Sequence, residues 1–293
     1  MRPLAARAAI AALLGTAALA SPARGAPCGR PDLVDMVPPN LASDVPPNAT
    51  LSAHYAVSAE YLGEDVVLDT PTGAQALPAT FDATEGRLSI TPPDPLQSGA
   101  TYVVHWPALR GLNAAAPGTA GQASFMVGAV PDGAPPEFAG VVGASWDLQR
   151  ESNDCTDRIE ERFVFDLDLG AASDDGGRGG LTLLLFQTSG PGANGGSVPV
   201  LARALPPEGT RARVALPTTD AVGHICFAGL VRDTTGQVSN SADREACVDT
   251  TQPPFFRGCS VAPNARPTRA GGLCGLLAAL LLATRTRRGR RRK

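Results

Sequence analysis

Ala49-Thr50-Leu51-Ser52-Ala53-His54-Tyr55-Ala56-Val57 carries Leu51, Ala53, Tyr55 and Val57 at every second position. A period of two places these four side chains on one face of an extended strand, whereas a helix would scatter them around its circumference. Similar short apolar runs lie on either side, bounded by Pro, Gly and Asn: Leu33 to Val37, Asp65 to Leu68, Ala76 to Phe81, Arg87 to Ile90, Thr101 to Trp106 and Ala123 to Val127. About seven short strands with turn residues between them, and no helical window of useful length, predict a β-sandwich.

From Gly128 to Pro136 turn-forming residues crowd out the apolar periodicity, which marks a domain boundary. Beyond it the pattern repeats in Phe138 to Leu148, Arg162 to Leu169, Leu181 to Phe186, Val198 to Ala202, Arg211 to Leu216, His224 to Arg232 and Ala246 to Asp249. The glycine-rich stretches 174–180 and 190–196 read as loops between these strands. The predicted fold is therefore all-β, with one sandwich over 27–130 and a second over 135–252.

Both ends of the chain carry different signals. Arg2 and Arg7 precede an apolar stretch from Ala8 to Ala20, so residues 1–26 read as a secretory signal peptide, cleaved after Ala20 or Ala26. At the other end a linker, 253–270, holds Cys259 in Gly258-Cys259-Ser260; an apolar segment, 271–284, and a basic tail, 285–293, follow. Ala270 to Thr284 would form roughly 22 Å of helix against a hydrocarbon core of about 30 Å, short for a permanent span. Between the signal peptide and the basic tail, 15 basic residues face all 28 acidic ones, a formal charge of −13. Such a body argues against a nucleic-acid partner, whose binding needs cations that displace counterions.

Four sequence pieces resemble the bacterial Ig-like domain of surface-layer and adhesion proteins, in the family's order and over nearly all of residues 31–128. They are Val45-Pro46-Pro47-Asn48-Ala49-Thr50, Phe81 to Thr84 with Arg87 to Pro92, Pro95-Leu96-Gln97-Ser98-Gly99-Ala100-Thr101-Tyr102, and Ser124 to Gly128. In the third piece the turn lifts the chain between sheets, and Tyr102 is expected to plug the corner while its hydroxyl reaches backbone. Cys226 to Asn240 is similar to the last hairpin of fibronectin type III-like domains. The tail resembles the sorting tail of myxobacterial surface proteins, the MYXO-CTERM type, in which a membrane protease processes the chain near a Cys matched here by Cys259. Cys274 and the Arg266 and Arg269 of the spacer depart from the simplest form of that pattern.

An exported chain meets an oxidising compartment, so the body cysteines Cys28, Cys155, Cys226 and Cys247 are disulfide candidates. A hairpin centred between Gly236 and Gln237 would set Cys226 opposite Cys247, although a one-residue slip would bring Ala246 there instead. The preferred pair is Cys226 with Cys247; Cys28 with Cys155 is a weaker alternative, and Cys155 with Cys247 stays open.

Chemistry-bearing motifs are sparse. His54, His105 and His224 are scattered over separate strands, and no nucleophile elbow, zinc helix, phosphate loop or dinucleotide fingerprint occurs. Asp166, Asp168, Asp174 and Asp175 are the best calcium candidates by residue type. The alternation of Phe163, Phe165, Leu167 and Leu169 nonetheless puts Asp166 and Asp168 on a solvated face, and Asp174-Asp175-Gly176-Gly177 has ordinary hairpin composition. Glu60, Glu64 and Asp65 read as solvated charges, and Asn48-Ala49-Thr50 as a turn entering a strand. Trp106, Trp146, Tyr55, Tyr61 and Tyr102 could line a carbohydrate-binding face, but two cores would consume most of them.

Neither a metal nor a cofactor is expected. The resemblances imply a non-catalytic structural or adhesive protein of the cell surface or outer envelope. Its partners would be envelope or surface components, the membrane through the tail, and the sorting protease. The alternative is a carbohydrate-binding accessory protein or a secreted hydrolase, favoured if Trp106, Tyr55 and Tyr61 share an exposed face.

Overall fold

The structure, a computed structural model, describes residues 30–56, 59–60, 65–111, 117–153, 158–240 and 244–251. The signal peptide, Cys28, Cys155, Tyr61, Glu64, Cys259 and the apolar and basic tail lie outside the described residues. Among the described residues there is no α-helix, and no helix is long and apolar enough to cross a membrane.

Eleven strands precede the 128–136 segment: β1 (Leu33–Val37), β2 (Ala42–Val45), β3 (Leu51–Tyr55), β4 (Ala59–Glu60), β5 (Val66–Thr70), β6 (Gly73–Leu77), β7 (Thr80–Asp82), β8 (Arg87–Ile90), β9 (Thr101–Trp106), β10 (Arg110–Gly111) and β11 (Gly121–Val127). One sheet runs β1-β3-β8-β7 and the facing one β2-β11-β9-β5-β6, with β4 and β10 as a separate two-stranded ribbon. In immunoglobulin lettering the first sheet is A-B-E-D and the second A′-G-F-C-C′, so this is an Ig-type sandwich by strand order. The A′ assignment is fixed by the parallel pairing of β2 with β11.

Nine strands follow: β12 (Glu137–Phe138), β13 (Val141–Asn153), β14 (Arg158–Leu169), β15 (Ala172–Ser173), β16 (Thr182–Ser189), β17 (Leu201–Ala204), β18 (Arg211–Pro217), β19 (His224–Arg232) and β20 (Ala246–Asp249). Their main sheets are β13-β14-β18 and β17-β16-β19-β20, or A-B-E and C′-C-F-G. This second sandwich shares the Ig architecture without the D and A′ strands of the first, the fibronectin-like variant.

Each sandwich closes its own core. The first packs Leu51, Ala53 and Tyr55 of β3 against Val104, Trp106 and Phe125 from the opposite sheet. The second packs Phe165 and Leu167 of β14 against Leu183, Leu185 and Phe227. Tyr102 closes the corner before β9: its ring stacks on Phe125, and its hydroxyl accepts the Gln97 amide proton at 2.8 Å.

Several strand expectations are corrected. The run Phe138 to Leu148 divides into β12 and β13, which join different sheets, and the strand expected over Val198 to Ala202 begins only at Leu201, as β17. The run Ala76 to Phe81 is not one strand, because Pro78 has no amide proton to continue a ladder. The chain changes sheets there, leaving β6 beside β5 and β7 beside β8. The run Asp65 to Leu68 extends to Thr70, and β2, unforeseen, begins just after Leu41, which has a positive φ of 66°.

Candidate metal site at the junction of the two sandwiches

The segment 128–136 does not hang free between the sandwiches. Asn48, at the edge of the first, clasps Asp132 from both sides: its Nδ2 donates to the Asp132 carbonyl at 2.8 Å, and its Oδ1 accepts the Asp132 amide at 3.0 Å. Two residues on, the Thr50 amide donates to the carbonyl of Thr234, at the end of β19, at 2.7 Å. On the other side of the junction Asp35 Oδ1 accepts from His54 Nδ1 at 2.7 Å and from the Ala204 amide of β17 at 3.0 Å.

The strongest ionic tie is Glu85 with Arg232. The guanidinium donates to both carboxylate oxygens, at 2.9 and 2.6 Å, and the side chains are only 11% and 14% exposed. Arg87 adds a third bond at 2.9 Å. Burial alone would raise the Glu85 pKa, but the Arg232 hydrogen bonds and charge, with Arg87, outweigh it and hold the carboxyl below its usual range. Gly86 makes the turn that aims Glu85; its φ is +63°, and a Cβ there would stand 2.7 Å from the Tyr55 carbonyl oxygen.

Beside this junction three carboxylates converge. Asp132 comes from the connecting segment, Asp174 from the loop after β15 and Asp233 from the end of β19, with ligand oxygens all within 4.8 Å of one another. Asp132 and Asp233 are buried. Among the described residues none of the three has a cationic partner, and Asp132 Oδ1 and Oδ2, Asp174 Oδ1 and Asp233 Oδ2 are buried without a hydrogen bond. Like charges at this spacing repel by about 3–4 kcal/mol per pair at an effective dielectric near 20. Burial, then the charges of Asp132 and Asp233, push the Asp174 pKa up to about 6. The Asp132 pKa is raised by burial and by Asp233, with Asp175 adding a little, against partial relief from the amides of Gly133 and Ala134.

The sequence-derived candidates divide clearly. Asp174 belongs to this cluster, while Asp166 and Asp168 do not: they sit directly across β14 and β18 from Arg213 and Arg211 and pair with them at 3.2 and 2.7 Å on an exposed face. Asp65 is exposed. Asp132 and Asp233 were overlooked because neither neighbours the other acids in sequence. The available signal was an Asp-Gly step inside the Pro-rich boundary and an Asp at a strand end before a Thr-Thr-Gly turn.

Of the histidines, His54 is buried on the face of β3 opposite the core, beside Asp35, and His105 pairs with Asp69 at 2.9 Å on an exposed face. His224 Nε2 lies 3.4 Å from Cys226 Sγ. Cys226 and Cys247 are directly opposed in the ladder and bonded, with Cα atoms 4.0 Å apart, so this cluster retains no thiolate to bind a metal. Trp106 and Tyr55 are buried, and the Tyr55 hydroxyl donates to the Pro107 carbonyl at 2.8 Å. Trp146 meets Phe163 edge to face and donates to the Asp249 carbonyl at 3.1 Å.

No protein-family model matches the chain, and no curated protein matches it. Similar solved structures include the N-terminal part of the bacterial S-layer protein SbsC, at 9% identity and TM-score 0.27, covering 75% of this chain and 44% of that one. The BSP domain of a biofilm-associated protein is similar at 16% identity and TM-score 0.23, covering 77% of this chain and 30% of that one. A two-domain fibronectin type III segment of chicken tenascin is similar at 12% identity and TM-score 0.19, covering 75% and 97%. This chain thus spans less than half of the S-layer fragment. The two-sandwich architecture rests on strand order and register, not on these superpositions.

Proposed function

We propose that the chain is a non-catalytic module of the cell surface, structural or adhesive in role, in which two β-sandwiches are joined as one body. The observation that carries this reading is the use made of the aromatic rings. Carbohydrate-binding faces depend on exposed rings, yet Trp106 and Tyr55 are buried and Tyr102 closes the corner before β9. Their burial counts against the carbohydrate-binding and hydrolase alternative. Asp166 and Asp168, the acids on the exposed face of β14, are already paired across the sheet with Arg213 and Arg211 of β18.

Export and display rest on the sequence of the two ends: the signal peptide 1–26, Cys259, the apolar segment 271–284 and the basic tail 285–293. Sorting through that tail implies a membrane protease as a transient partner and envelope components as lasting ones. Intact mass and surface fractionation of the native protein test this. The expected product is a surface-exposed chain that ends near Cys259. A chain that keeps Lys293 and stays in the inner membrane would contradict it.

A further inference from the structure

We infer that Asp132, Asp174 and Asp233 form a calcium site that fastens the connecting segment to two loops of the second sandwich. The inference goes beyond surface display and does not depend on it, since it concerns the binding chemistry of the chain itself. Oxygens that share one calcium at about 2.3–2.6 Å lie within roughly 5 Å of each other. The three carboxylates meet that condition, with ligand atoms all within 4.8 Å.

The second observation is independent of their clustering. Asp132 is 5% exposed, and although the Gly133 and Ala134 amides lean close enough to ease its charge, neither carboxylate oxygen receives a hydrogen bond of proper length and angle among the described residues. Buried polar atoms are otherwise satisfied as a rule, and a buried carboxylate with both oxygens unmet calls for a counterion. Asp233, also 5% exposed, uses Oδ1 to accept from the Thr235 amide and hydroxyl and from the Gln237 amide, which leaves Oδ2 unmet. Asp174 likewise accepts the Gly176 amide on Oδ2 and leaves Oδ1 unmet. In both, one oxygen fixes the side chain and the other is offered. Thr234, next to Asp233, adds a buried hydroxyl without a partner.

An all-oxygen donor set on irregular loops suits calcium, which takes six to eight oxygens in flexible geometry. Magnesium demands a near-ideal octahedron and dehydrates reluctantly. Because Asn48 grips Asp132 and the Thr50 amide holds Thr234, an ion here would secure the first sandwich as well as the second.

The test uses the full chain, treated with EDTA, dialysed and titrated with CaCl2 by calorimetry and thermal melting. One ion per chain is expected, with a Kd of about 10⁻⁴–10⁻³ M, as in extracellular calcium modules. At 10 mM CaCl2 the melting midpoint should rise by about 4 °C or more. Asp132→Asn should weaken binding at least about tenfold, no less than the loss that removing even an outer-shell partner brings, while melting higher than wild type in EDTA, because a repulsive charge is gone. Asp174→Asn, in a less buried loop, provides the same readout should Asp132→Asn fold poorly. Asp166→Asn, paired with Arg213 outside the cluster, should keep the full calcium shift. No heat and no shift at 10 mM CaCl2, an equal shift with MgCl2, or an undiminished shift in both cluster variants would each overturn the assignment.

Discussion

Glu85 and Arg232 show how one pair of side chains couples two folding units. Neither belongs to its own sandwich core, yet both are nearly withdrawn from solvent, and each satisfies the other with two parallel hydrogen bonds. Removing one partner strands the other's charge, so Arg232→Ala should cost about 2–4 kcal/mol in denaturant unfolding. Glu85→Gln with Arg232 intact should cost a similar amount. The pH dependence follows from the lowered Glu85 pKa. A folded-state carboxyl with a depressed pKa binds fewer protons than the unfolded one, so its stabilisation is fully present above about pH 4.5 and is lost as the pH falls through the folded value. Arg232→Ala should flatten that acid limb in melting curves recorded between pH 3 and 6. An unchanged limb would assign the acid loss to other carboxylates.

At the scale of the element, register decides which side chains can meet. The β19–β20 ladder sets Cys226 against Cys247, partners that lie 21 positions apart in sequence. Closing a loop of that size is worth about 3 kcal/mol through the unfolded chain. The double substitution Cys226→Ala with Cys247→Ala should therefore lower unfolding free energy by about 2–4 kcal/mol; a change under 1 kcal/mol would show that the bond adds little to this hairpin. Tyr102→Phe should cost about 1 kcal/mol, the net worth of its hydrogen bond from Gln97. Much of this level was legible in the sequence. Alternation along Leu51, Ala53 and Tyr55 placed β3, and the Gly236 turn placed the final hairpin and its cysteines. The split at Pro78 was legible in principle, since proline cannot continue a ladder, but Ala76 to Phe81 reads as one run when its proline is passed over. The strand β2 was not legible, because its Ala-Ser-Asp-Val sequence carries little apolar signal and its pairing is to β11, some 80 residues away.

The whole molecule turns on the junction, and there the sequence was least informative. Asp132, Asp174 and Asp233 are separated by 42 and 59 positions, and only the fold brings their oxygens together. Asn48 read as a turn residue because its partner, the Asp132 backbone, leaves no mark on its own neighbourhood. Turn-rich composition marked 128–136 as a boundary but could not show that Asp35 with Ala204, Thr50 with Thr234 and Glu85 with Arg232 tie the strands before it to those after it. Such contacts couple folding units, since neither side can unfold without exposing the other's buried polar groups. The central claim, that the two sandwiches behave as one body, is met most directly by scanning calorimetry of the wild-type chain. One transition is predicted, with calorimetric and van't Hoff enthalpies equal, resolving into two in Arg232→Ala. Two independent transitions in the wild type, unmoved by that substitution, would contradict it.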